Sequence, residues 1–115
     1  MGTLRIGLCL LTAAAVGFVA VADLVRARFV LANAAAVGVP ERWLVPLGVT
    51  KGLGAVGVLA GLAGATTLGA LAAGGLVAFF VGAVATHLRA RDLALQFPLA
   101  YLALSAATLA ALATA

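Results

Sequence analysis

Charge is what this sequence has least of. Asp23, Glu41 and Asp92 are its only acids, and Asp, Glu, Lys and Arg together make up 9% of the 115 residues. Soluble domains carry about 25%. Hydrophobic residues here reach 66%, and a chain this short has too much surface for its volume to hide that much apolar material from water. Lipid is the expected solvent. Lysine and arginine outnumber the acids and give a net charge of +4, but no basic stripe with interleaved aromatics is present, which excludes a nucleic-acid partner. Cysteine is reduced to Cys9 alone, so there is neither an intrachain disulfide nor a Cys-x-x-Cys dithiol. Cys9 reads as a small polarizable packing residue. Histidine is likewise single, His87, which rules out bis-histidine haem ligation within one chain. The further ligands a metal site needs are missing too. There is no Gly-rich phosphate loop ending in Lys-Ser/Thr, no Gly-x-Ser-x-Gly and no pair of intramembrane carboxylates. No run alternates with period two, so a membrane β-barrel is not expected.

What remains is four apolar runs, at 4–22, 43–62, 68–88 and 97–113. Each approaches the roughly 20 residues that cross a hydrocarbon core as a helix. Backbone groups in lipid must be satisfied internally, which helices do. The expectation is an all-α polytopic membrane protein, a bundle of four transmembrane helices forming one domain over 1–115. A cleavable leader is the competing reading of the first run, with Ala20-Val21-Ala22 as a small-x-small site, but the run is longer than a usual leader core. Between Asp23 and Arg42 polar residues interrupt the apolar ones, and the first helix is expected to continue past the membrane to about Ala36. Gly38 then ends it and Pro40 opens the next helix. Trp43 stands where an interfacial anchor belongs. Pro46 and Pro98 fall in first turns, where proline breaks few hydrogen bonds. The uncharged turn at 63–67 predicts a close hairpin of the second and third spans. Gly48 and Gly52, Gly57 and Gly61, and Gly74, Ala78 and Gly82 form strips on which a neighbouring helix backbone can approach closely.

Arg26, Arg28, Arg42, Arg89 and Arg91 lie in the two polar connections, against Arg5 alone on the other side. Short basic loops stay cytoplasmic, so the chain is expected in the cell membrane as a multi-pass protein with both termini away from the cytoplasm.

Lys51 is the most informative residue, the only lysine and about two turns inside the second span. Intramembrane charge is costly and marks function by default, and a buried lysine loses its proton far more readily than arginine. The plain alternative is a stem that snorkels to the headgroups. His87, at the polar end of the third span, suits a proton carrier or an ordinary interfacial group. Lys51 and His87, with Asp92 or Asp23 as charge partners, form a candidate polar cluster near one membrane face.

Gly38-Val39-Pro40-Glu41 followed by Leu47-Gly48-Val49-Thr50-Lys51-Gly52-Leu53-Gly54 resembles the second-span entry of the DoxX-like family of small membrane proteins. The stretch from Val81 to Asp92, with Thr86-His87-Leu88-Arg89, resembles its third-span exit, and Pro98 opens the last span as in that family. The resemblance covers nearly the whole chain and implies a four-helix membrane fold. Some members are linked to quinone-dependent sulfur oxidation or membrane redox complexes, and related eukaryotic proteins assist receptor assembly. It therefore implies an accessory or assembly subunit, with a membrane redox partner or a second copy as companion in the bilayer. It also carries Lys51, His87, Arg89 and Asp92 over as candidate ligand-binding positions, beside Asp23 from the charge pattern. Membership does not by itself imply an enzyme. One alternative is an intramembrane enzyme binding a quinone or isoprenoid-like lipid through Lys51 and His87. A second is a small four-span transporter, although such cation carriers use a carboxylate in the first span and 4–22 has none.

Overall fold

The structure, a computed structural model, describes residues 2–114. Met1 and Ala115, the outermost residues of the expected domain, lie outside the described residues. Helix α1 is Thr3–Leu24, α2 Arg28–Ala36, α3 Leu44–Leu62, α4 Thr66–Arg89 and α5 Gln96–Ala113, with a single 3₁₀ turn Glu41–Trp43 leading into α3. Four of these, counting the 3₁₀ turn with α3, are long and apolar enough to cross a membrane, at 18 to 24 residues each. Only 22–28% of the residues in each span are buried inside the bundle. The outward faces are therefore covered by apolar side chains that call for lipid rather than water. Pro46 and Pro98 each occupy the third position of a helix, where the helix has no carbonyl to offer their missing N–H.

The spans form a ring in which α1 packs on α3, α3 on α4, α4 on α5 and α5 back on α1. Contacts fix the directions. The start of α3 meets the end of α1, where a methyl on Gly48 would stand 2.9 Å from Asp23 Cβ. The end of α3 meets the start of α4, where a methyl on Gly61 would stand 2.7 Å from the Gly69 Cα. Gly57 faces Ala72 and Gly54 faces Leu76. The expected hairpin is thus built on Gly54, Gly57, Gly61 and Gly69. The strip of Gly74, Ala78 and Gly82 plays no part in it: methyls on Gly74 and Gly82 would meet nothing within 4 Å, and Ala78 is exposed. Spacing alone marks a helix face as small without saying which side it takes.

The core joins Val16 of α1, Val58 of α3, Ala73, Leu76 and Phe80 of α4 and Leu112 of α5. Phe80 stacks on Tyr101 at 5.3 Å between centroids, and Phe79 meets Phe80 edge-on at 5.2 Å.

The first helix does not run on to Ala36. It stops at Leu24, where Arg26 takes φ 53°, its N–H bonds the Asp23 carbonyl, and the Ala27 N–H bonds the Ala22 carbonyl. This paired C-terminal bonding is the Schellman arrangement. It recurs at Gly38, Gly64 and Arg91, the ends of α2, α3 and α4. Beyond the break, α2 turns back so that Val30 and Ala34 pack with Ala22 and Leu44. Phe29 stacks on Phe18 of α1 at 6.2 Å. Burying that small apolar face against the ends of α1 and α3 outweighs the one hydrophobic-to-polar continuity that suggested a single long helix.

Candidate functional site

Gly48 sets the geometry of the charged site. Because it lacks a Cβ, α3 closes on the last turn of α1, where Ala20, Asp23 and Leu24 leave no room for one. A methyl on Gly52 would lie 3.9 Å from Ala20 Cβ, so the Lys51 backbone sits about one turn deeper than Asp23. The lysine stem rises by that turn, roughly 5 Å, and its Nζ donates to Asp23 Oδ2 at 2.8 Å. The Asp23 side chain is 3% exposed and that of Lys51 15%. The ammonium also lies 5.4 Å from the centroid of the Phe79 ring on α4, within the range where a cation is attracted to an aromatic face. Three helices therefore converge on one charge pair, and Lys51 neither faces lipid nor stands alone.

The other expected residues fall outside this pair. His87 is buried, but its Nδ1–H donates to the Ala83 carbonyl of its own helix at 2.9 Å. It is also eight residues beyond Phe79 on α4, about 12 Å along the axis. Asp92 turns to its own loop, where one carboxylate oxygen accepts the Ala94 N–H at 3.0 Å. Arg89 is exposed. Of the two carboxylates weighed as partners for Lys51, Asp23 is the one the fold brings to it.

A second polar feature closes α5 onto α1. The hydroxyls of Thr12 and Thr108 share a hydrogen bond of 2.6 Å, and the Thr108 hydroxyl also lies 3.3 Å from the Leu8 carbonyl. Tyr101 donates to the Ala15 carbonyl at 3.3 Å. Ser105, one turn from both Tyr101 and Thr108, is fully buried without a hydrogen-bond partner. This seam is not among the features singled out from the sequence. Its signal is the spacing of Tyr101, Ser105 and Thr108, which places three hydroxyls on one side of an otherwise apolar helix.

Concave surface is shallow. One groove of about 230 Å³ lies between α3 and α4, lined by Thr50, Leu53, Gly54, Ala72, Gly75 and Leu76. It lies about one turn deeper than the Phe79 ring. Another concavity surrounds the turn from Gly64 to Leu71 at the opposite end of the bundle. Among the described residues no three His, Cys, Asp or Glu side chains stand together as a metal site requires.

No curated protein and no solved structure gives a significant match to this sequence. A model of the DoxX-like family matches residues 7–108, a stretch that holds the charge pair, the hydroxyl seam and His87. With four membrane-spanning helices packed in a ring and that match over most of its length, the chain belongs to the DoxX-like family.

Proposed function

We propose that this protein is an accessory or assembly subunit of a membrane complex, and that the complex carries out redox chemistry, as the family likeness implies. The observation that carries this reading is the closed charge pair. Asp23 and Lys51 satisfy each other at 2.8 Å inside the bundle, so the one intramembrane lysine is spent on joining α1 to α3. Three further polar side chains do similar work, Thr12, Thr108 and Tyr101 joining α1 to α5, while Ser105 on the same seam has no partner. A bundle whose one buried ion pair is closed on itself offers a neighbour chiefly its lateral faces. In this reading the end with Arg26, Arg28, Arg42, Arg89 and Arg91 faces the cytoplasm and both termini face away.

Gentle solubilisation followed by affinity capture of the tagged chain tests the proposal. A defined membrane partner, or partner complex, should co-purify in fixed ratio and dissociate when the bundle is thermally unfolded. Recovery of the chain alone, under conditions that keep other membrane complexes intact, would sink the accessory reading.

One observation favours a second reading, an intramembrane site for a quinone or isoprenoid-like lipid. The groove between α3 and α4 opens to lipid below the Phe79 ring, and the Lys51 ammonium stands over that ring. An acceptor on such a molecule would have to compete with the Asp23 carboxylate for the ammonium. Co-extracted lipid that is held by the parent and released by Lys51→Met would favour this reading over the first.

A further inference from the structure

Two identical tripeptides end the two spans that lie diagonally across the ring. Arg26-Ala27-Arg28 follows α1 and Arg89-Ala90-Arg91 closes α4. In each, one arginine takes the left-handed backbone, Arg26 at φ 53° and Arg91 at φ 57°. At the two other helix ends built the same way, glycine holds that position, as Gly38 and Gly64. A side chain there is strained where glycine is free, and such a departure points to a use for the side chain.

All four arginines are exposed, and none of them forms an ion pair among the described residues. Of the acids at this end, Asp23 is bound to Lys51, Asp92 holds its own loop, and Glu41 is exposed and forms no ion pair with these arginines among the described residues. The same end carries Trp43 and Phe97, 50% and 68% exposed, the residue types that settle at headgroup depth. The forks therefore stand where lipid phosphates lie, with planar donors suited to bidentate phosphate contact.

We infer that the two Arg-Ala-Arg forks bind the phosphodiester headgroups of anionic membrane lipids. The inference does not depend on the accessory reading. Arginines that only mark topology would need no left-handed backbone, and arginines that only favour helix C-terminal carbonyls would respond equally to any lipid.

The experiment uses the whole chain in nanodiscs, where both faces are accessible and inserted orientation has no influence. Nanodiscs mixed from phosphatidylglycerol and phosphatidylcholine are compared with phosphatidylcholine alone, and lipid retained after detergent extraction is counted by native mass spectrometry. The parent should enrich phosphatidylglycerol and gain roughly 4–8 °C in Tm in the mixed discs. Arg89→Gln with Arg91→Gln should reduce that enrichment by about twenty-fivefold, at about fivefold for each arginine. Arg26→Gly and Arg91→Gly are the sharper variants, because glycine relieves the backbone. In phosphatidylcholine they should be at least as stable as the parent, while each loses about fivefold of the anionic enrichment. Equal enrichment by parent and variants, or none by the parent, would overturn the proposal. So would an equal stabilisation of the parent by inorganic phosphate in phosphatidylcholine discs, which would assign the forks to a soluble anion.

Discussion

Lys51→Met should destabilise the bundle by about 3 kcal/mol, the lower end of the cost when a buried charge loses its partner. Methionine keeps length and flexibility, so the change is nearly pure loss of charge. It leaves the Asp23 carboxylate, 3% exposed, without a counter-ion inside α1. Asp23→Asn should cost less, about 1–2 kcal/mol, because the flexible lysine stem can carry its ammonium on toward the headgroups. The double variant should return to within about 1 kcal/mol of the parent, since replacing both members of a buried pair is often close to neutral. Thermal unfolding of all four chains in one detergent gives the coupling directly. If the two single losses add in the double variant, Asp23 and Lys51 do not act on each other.

Gly61→Leu should be more damaging still. A Cβ at Gly61 would stand 2.7 Å from the Gly69 Cα, and backbone cannot rotate out of the way as a side chain can. The α3–α4 hairpin would have to open along its length. The loss should exceed about 3 kcal/mol, the upper range for overpacking a core, and folded yield should fall with it. Gly57→Leu, which would drive into Ala72, should behave alike. Gly82→Leu is the internal control, since nothing stands within 4 Å of the added carbon. It should stay within about 1 kcal/mol of the parent. Equal melting temperatures for the Gly61 and Gly82 variants would remove the glycine contact from the fold.

Much of this was legible in the sequence because lipid imposes few solutions. The scarcity of charge over 4–22, 43–62, 68–88 and 97–113, where Arg5 and Lys51 are the only Asp, Glu, Lys or Arg residues, is enough to place four helices, and the uncharged turn at 63–67 is enough to make two of them neighbours. The break after Leu24 was not legible. Glycine or proline normally announces a helix end, and here an arginine takes the left-handed position instead. The partner of Lys51 was only half legible. Asp23 and Asp92 were both in reach of the argument, and the choice between them depends on the register of α3 against α1, which Gly48 sets through a contact 25 residues back along the chain. The sequence puts Lys51 and His87 toward the same membrane face, which is all that grouped them. Depth along an axis leaves out which helix face a residue takes, and His87 spends its donor on Ala83. The Thr12–Thr108 bond, 96 residues apart, lies beyond any local pattern.

The central claim is that Asp23 and Lys51 clasp two helices together and do not themselves receive a ligand. Affinity capture with the chain carrying both Asp23→Asn and Lys51→Met tests it most directly, because both charges are gone while the fold is expected to stand. A clasp predicts that this folded double variant brings down the same membrane partner in the same ratio as the parent. A folded double variant that has lost the partner, or has released a bound lipid the parent keeps, would contradict the claim and make the pair itself the functional site.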